Sequence, residues 1–453
     1  MTFTSLLFLF LFLPAVLLVN YLLRSVPVWI RQLFLLAVSL LFYAWGDIKY
    51  LPVFAMSILL NFCAGQAAVM LRTSGREMAA RIALAAAAGL DIAALALFKY
   101  SSLDMPLGVS FYTFSLLSYL FDIWQGRTEN KGNILTVSLY MVFFPKVISG
   151  PIIQYKDFIG QTARPRLTRD NMVSGMHLFL IGLFKKVLLA DNLGTSFQSV
   201  LDLGKMAGAS AWLGMVFYSL QLYFDFSGYS DMAIGLARML GFQIDRNFHY
   251  PYMSKNIADF WRRWHISLGA WFRNYVYIPL GGNRCALPRQ IINLAVVWLL
   301  TGIWHGNTLN FIAWGIWHGL LVILQKFVIK DRAEAVPGPV RILITDLLAF
   351  IGWVFFFSPN LGSALHYFGQ MLGRDGLGAA NGATWYILRQ NILLLAAAVI
   401  GSTPLPANLK KLIYKRGGRA MSLCWAIAGA LIFILCIANL VGSGYQTFLY
   451  FKF

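Results

Sequence analysis

Apolar stretches of about 20 residues recur from one end of the chain to the other, separated by short basic or neutral turns. A helix of about 20 apolar residues spans the hydrocarbon core of a bilayer. The pattern therefore predicts an all-α polytopic membrane protein, with about 11 to 13 transmembrane or re-entrant helices. The first stretch, Phe3 to Leu23, has neither a charged segment before it nor a small-residue cleavage site, and reads as a retained span. Pro145, Gly150-Pro151, Gly228, Gly281-Gly282 and Gly306 interrupt later segments. Broken helices at membrane depth are tolerated only where protein buries them or where they line a cavity, so a water-filled funnel is expected. No linker rich in Pro, Gly or Ser divides the chain. Residues 1–453 read as one membrane domain, with a motif-bearing core at 41–330 and C-terminal spans at 339–453.

Composition agrees with this pattern: 59% of the 453 residues are hydrophobic and 12% are charged, against about 25% charged in soluble domains. Lys plus Arg number 37 and Asp plus Glu 18, a net charge of +19. In a membrane protein such an excess marks cytoplasmic loops that meet anionic lipid. No basic run is interleaved with aromatics in a soluble segment, which excludes nucleic acid as a partner. Arg24 with Arg31, then Arg72, Arg76 and Arg81, then Lys156 to Arg169 mark successive inside loops. Arg284 with Arg289, Lys326 to Arg341, and Lys410 to Arg419 continue the series, and the N-terminus falls outside. The four cysteines (Cys63, Cys285, Cys424, Cys436) are scattered without CxxC spacing, so no metal site or disulfide framework is indicated.

The candidate chemistry lies in a stretch without acids. Gly302-Ile303-Trp304-His305-Gly306 returns as Gly315-Ile316-Trp317-His318-Gly319, and no Asp or Glu occurs from Trp261 to Lys330. An ionisable group at membrane depth is costly and is a functional candidate by default. Proton chemistry here must run through histidine or through carboxylates from elsewhere in the fold. The repeat does not rank His305 against His318. A third histidine, His265, sits in Trp261-Arg262-Arg263-Trp264-His265-Ile266-Ser267-Leu268. At helical spacing Trp261, Trp264, His265, Leu268, Phe272 and Tyr275 share one face, while Arg262, Ile266, Gly269 and Arg273 share another. That is the pattern of an amphipathic helix at the cytoplasmic interface, although a surface anchor needs no imidazole.

Tyr277 to Arg284 (YIPLGGNR, with Asn283) reads as a turn into the next helix, or as a backbone cradle for a phosphate. With Arg262, Arg263, Arg273 and Arg284 it offers a landing site for an anionic acyl donor. Gln221 to Asp231 puts Asp225 and Asp231 at or near membrane depth. They either tie broken helices together through a polar network or orient a catalytic histidine, and a transporter or flippase would use such acids for coupling. A transporter is expected to show repeated halves, and none is visible in the sequence. Lys146, in Phe144 to Pro151, needs a partner and reads as support for a broken helix.

The stretches LFYAWGD, FKY, GVSFYTF, FFPKVISGPI, QLYFDFSGYSDMAIG, NF, PY, FWRRWHISLGAWFRNYVYIPLGGNR, TGIWHG and IAWGIWHG follow in order from about residue 41 to 319. Together they resemble the membrane-bound O-acyltransferase superfamily, and more narrowly its bacterial alginate O-acetylase type. The resemblance implies many helices around a thin core, an outward funnel for the acceptor and a cytoplasmic tunnel for the acyl donor. It implies His305 as the catalytic histidine and His265 as the second functional one, with His318, Trp304, Asp225, Asp231 and Asn283 supporting. Acetyl-CoA is the implied donor substrate, with no permanently bound cofactor and no metal. The implied partner is an extracytoplasmic acetyltransferase of the polysaccharide machinery, and the implied location is the bacterial inner membrane, multi-pass. D-alanyl transfer to teichoic acid from a carrier protein and peptidoglycan O-acetylation are the alternatives within the same superfamily. The loop series puts His305 near the outer end of its segment, which requires a deep funnel.

Overall fold

The structure is a computed structural model that describes residues 1–128, 132–442 and 448–449. All regular structure among the described residues is helical. Nine of the described helices are long and apolar enough to cross a membrane: α1 (Phe8–Ser25), α2 (Val28–Asp47), α3 (Leu51–Thr73), α4 (Glu77–Tyr100), and α8, α12, α13, α14 and α16 below. Three shorter elements follow, the first two of them apolar and largely buried. They are α5 (Val109–Trp124), α6 (Ile134–Val142) and α7 (Tyr155–Thr162). Nearly every residue of α5 is buried.

Next come α8 (Arg169–Leu201) and α9 (Gly208–Met239), then α10 (Ile257–Arg263) and α11 (Ile266–Phe272). The hairpin α12 (Leu287–His305) and α13 (Leu309–Leu324) follows, with α13 continuing in a π-helical turn to Ile329. The chain ends with α14 (Gly338–Phe357), α15 (Leu361–Met371), α16 (Gly382–Gly401) and α17 (Leu405–Gly442). Asparagine sets several helix starts. Asn133 and Asn381 form capping boxes with Thr136 and Thr384, and Asn256 and Asn360 accept backbone N–H bonds. Such a cap satisfies N–H groups that the helix itself cannot pair.

The chain forms two compact units, both fed by α8 and α9. One contains Met1–Gly182 and Tyr229–Arg246. The other contains Leu183–Gly228 and Asn247–Leu449, and it carries all three candidate histidines. In the first unit α3 and α4 are tied at depth by Asn61 Nδ2 donating to Asp91 Oδ1 at 3.0 Å. Gly175 and Gly235 let α8 and α9 touch backbone to backbone: a Cβ on Gly235 would stand 2.5 Å from the Gly175 carbonyl oxygen. Small residues at membrane helix crossings permit this approach. Lys146 is buried, donates to Ser115 Oγ at 2.7 Å and lies 3.8 Å over the Tyr140 ring, the bracing role expected of it.

Two loop expectations are corrected. Arg31 is not in an inside loop. It lies buried on α2 and donates to Asn20 Oδ1 (2.8 Å) and the Leu240 carbonyl (2.6 Å), because a guanidinium inside a bundle needs fixed acceptors. Lys410 to Arg419 is not a loop either, since α17 runs straight through it.

Candidate active site

The repeated pentapeptide is first of all a packing device. The first glycines of the two copies face each other where α12 crosses α13: a Cβ on Gly315 would meet the Gly302 Cα at 3.2 Å and the Trp298 carbonyl at 2.6 Å. A Cβ on Gly302 would meet the Phe311 carbonyl at 2.7 Å. The last glycines follow the same rule, Gly306 against the Phe311 ring and Gly319 against Trp298. The contact brings both histidines, each three residues after its first glycine, against one tryptophan.

His305 is the last residue of α12, and the chain turns extended at Gly306. Its imidazole is buried (3% exposed) among Trp304 at 4.6 Å, Trp314 at 4.8 Å, Phe356 at 5.0 Å and Phe311 at 6.5 Å between ring centroids. His318 is fully buried in a box of indoles: Trp261 at 4.8 Å, Trp314 at 5.2 Å, Trp298 at 5.8 Å and Trp353 at 5.9 Å. Neither His318 nitrogen has a partner among the described residues, and the ring rests on Gly352, where a Cβ would come 2.3 Å from Nε2.

His265 departs from the predicted helical face. The amphipathic helix over 261–275 is broken at Trp264-His265 into α10 and α11. His265 has φ 46°, a left-handed conformation that costs a non-glycine residue about 1–2 kcal/mol. Asn247 holds the break. Its carbonyl accepts from Ile266 N at 2.9 Å, and its side-chain oxygen accepts from Ser267 N (3.1 Å) and Ser267 Oγ (2.9 Å). The same oxygen lies 3.2 Å from His265 Nδ1. An amide oxygen that already accepts from a backbone N–H has no proton to give, so Nδ1 carries the proton and Nε2 the lone pair. Burial pushes the imidazolium down to about 3, so the ring is neutral at physiological pH. Phe226 meets it edge to face at 4.7 Å. An aromatic path joins the two sites: Trp264 to Trp353 (4.8 Å), Trp353 to Phe356 (5.7 Å), and Phe356 to His305.

The remaining predicted residues divide. Trp304 is buried beside His305. Asn283 belongs to an exposed cluster in which its side-chain oxygen accepts from Lys326 Nζ (2.6 Å) and Tyr277 OH (2.8 Å). The Gly281-Gly282 turn uses its own N–H groups, Gly281 N to Ile278 O and Gly282 N to Tyr277 O, which favours the plain turn over a phosphate cradle. Arg262, Arg273 and Arg284 are exposed, and Asp259 pairs with both Arg263 (2.9 Å) and Arg262 (3.6 Å). Asp259, just before the acid-free stretch, escaped the sequence reading.

Asp225 binds a lysine. Lys186 Nζ reaches Asp225 Oδ1 at 2.7 Å and Asp191 Oδ1 at 2.6 Å from a π-helical turn (Lys185–Ala190) of α8. Asp225 Oδ2 also accepts from Leu449 N at 2.9 Å. Asp231, six residues on along α9, falls in the other compact unit. Lys186 and Asp191 were not singled out from sequence, and Asn247 entered only within the NF stretch, with no role assigned. A lysine at membrane depth, needing counter-charge, was the available signal for the first.

Comparison with known proteins decides the family. Residues 90–361 match the membrane-bound O-acyltransferase family. The chain belongs to that family.

It is therefore an acyltransferase and a multi-pass membrane protein. It is 35% identical to a probable alginate O-acetylase of Pseudomonas putida, with all of both chains covered. It is 33% identical to a peptidoglycan O-acetyltransferase of Helicobacter pylori over 83% of this chain and 80% of the relative. With a teichoic acid D-alanyltransferase of Bacillus subtilis it shares 30% identity over 49% of this chain and 59% of the relative. Membership answers the transporter alternative, and the all-helical polytopic membrane fold expected from the sequence is found.

Proposed function

We propose that this acyltransferase moves acetyl groups from cytoplasmic acetyl-CoA to an extracellular polysaccharide, with His305 as general base. The observation that carries the reading is His305 itself: an imidazole at the end of α12, buried and walled by aromatic rings. A dry wall sharpens the interactions of whatever reacts beside it. An imidazole has a reference pKa of about 6.5, which suits proton transfer near neutral pH. It would take the proton of an acceptor hydroxyl as that oxygen attacks the thioester carbonyl. An acyl-histidine intermediate is the variant.

His265, neutral with Nε2 as its basic nitrogen, is the second functional histidine of the reading, orienting a substrate or relaying the proton. Exposed Arg262, Arg273 and Arg284 would receive the anionic donor from the cytoplasm. A partner acetyltransferase outside the inner membrane would carry the group to the polymer. Full-length similarity to a probable alginate O-acetylase favours a polysaccharide acceptor over teichoic acid, whose transferase is matched over half the chain.

The test uses His305→Ala with insertion in the membrane verified. Polymer acetylation is expected to vanish, and acetylation at the wild-type level would end the assignment. In proteoliposomes given labelled acetyl-CoA on the donor side, label should appear on the opposite face. Label confined to the donor side would reject transfer across the membrane.

A further inference from the structure

Trp314 stands between the two imidazoles of the repeat. Its ring is 4.8 Å from His305 and 5.2 Å from His318, at interplanar angles of 81° and 67°. It is 1% exposed, and its indole N–H has no partner among the described residues. Two tryptophans of the same unit end on carbonyls: Trp317 Nε1 donates to Leu348 O at 2.9 Å and Trp212 Nε1 to Met371 O at 3.0 Å. Buried donors are nearly always satisfied, and an exception calls for an explanation in function. Trp261 shares the condition, but it packs on His318. Trp314 is set apart by touching both imidazoles, His305 and His318.

The position of Trp314 is also rigid. Gly315, the next residue, has no room for a Cβ against the Trp298 carbonyl, so the helix crossing fixes the indole. A fixed donor in a water-poor site is the arrangement that stabilises charge developing in a transition state, since nothing must reorganise when the charge appears.

We propose that the Trp314 indole N–H is the hydrogen-bond donor to the oxyanion formed during acyl transfer beside His305. The inference rests on the reading of His305 as the base. The acceptor hydroxyl oxygen bonds to the thioester carbonyl carbon while His305 takes the hydroxyl proton. The carbonyl π pair moves onto oxygen, and that oxyanion accepts from Trp314. On collapse the C=O re-forms and the C–S bond breaks with its electron pair on sulfur. Sulfur recovers the proton from the imidazolium, leaving an ester and a free thiol.

The experiment replaces Trp314 by 3-benzothienylalanine, which keeps the bicyclic shape and puts sulfur where the N–H was. Trp314→Phe is the second variant. Turnover of acetyl-CoA in proteoliposomes should fall about 100-fold in kcat, the usual effect of losing one such donor, with KM little changed. Affinity for a trifluoromethyl-ketone analogue of acetyl-CoA, which forms a tetrahedral anion, should fall at least tenfold. Affinity for the unreactive thioether analogue should hold, because only interactions stronger in the transition state are lost. A kcat within about threefold of wild type in the benzothienyl variant, or equal loss of affinity for both analogues, overturns the proposal. His305→Ala is run beside it. Turnover surviving in His305→Ala sinks the reading of His305, whereas an inactive His305→Ala with an active benzothienyl variant sinks Trp314 alone.

Discussion

The Asn247 side-chain oxygen stands 3.2 Å from His265 Nδ1 and at the same time caps the helix that His265 begins. One amide thus fixes a backbone break, a hydroxyl and an imidazole tautomer. Asn247→Ala removes the acceptor of three donors, and each buried group left unpaired costs about 1–3 kcal/mol. We expect acyl transfer to fall at least tenfold, and the melting temperature of the detergent-purified protein to drop. Asn247→Asp should retain the bonds and add a negative charge beside the ring, raising the pKa of His265. Its pH–rate profile should then carry an extra ionisation near neutrality that wild type lacks.

His265 also predicts a pH dependence of stability. Its folded pKa is depressed by burial to about 3, below an unfolded value of about 6.5. Above pH 6.5 the ring is neutral in both states and costs nothing. As pH falls below that value the unfolded chain binds a proton that the folded chain refuses. Stability should then decline by up to about 1.4 kcal/mol per pH unit down to the folded pKa. His265→Asn tolerates the left-handed backbone and does not titrate. Thermal unfolding from pH 7 to 5 should fall less steeply in that variant, and identical slopes would refute the assignment of the slope to His265.

The fold was legible in the sequence because bilayer thickness imposes a length that composition reveals directly. The site was legible in part. His305, His318 and His265 stand out because imidazoles in acid-free apolar sequence have few bland explanations. The role of the repeat was not legible: nothing in the sequence marked Gly302 and Gly315 as contacts, and only the crossing of α12 over α13 shows them as such. Nor could periodicity find the break at His265, since Trp261 to Tyr275 keeps a helical pattern straight through it. The break is made by Asn247, 18 residues earlier in the chain. Long-range partners of this kind leave no local signature, and the pairing of Lys186 with Asp225, 39 residues apart, escaped for the same reason.

The helix crossing gives a direct test of the repeat as a packing element. In Gly315→Ala the new Cβ would stand 2.6 Å from the Trp298 carbonyl, and backbone on both sides leaves no flexible atom to yield. A destabilisation of about 1–3 kcal/mol is expected, as for other over-packed interiors. Activity should fall with it, because the shift passes through Trp314. Gly429→Ala, where a Cβ would meet nothing within 4 Å, is the control and should be neutral or slightly stabilising in the interior of α17.

The last prediction separates the two roles weighed for Asp225. Lys186 is 2% exposed and bonded to two carboxylates, so the test is made in an Asp191→Asn background, where removing Asp225 strands the ammonium in a dry interior. Asp225→Ala should destabilise the protein by about 3–5 kcal/mol, the usual cost of breaking a buried pair from one side. Removing Asp225 and Lys186 together in that background is different, because no charge is then left behind. Asp225→Ala with Lys186→Met should recover part of the loss, giving a coupling energy of about 0.5–3 kcal/mol in a double-mutant cycle of thermal or denaturant unfolding. Acyl transfer measured on the same four proteins completes the argument. If Asp225 ties α8 to α9, activity should return with stability in the double variant. If it orients a catalytic group, the double variant should be stable and inactive, and the bracing role would be withdrawn.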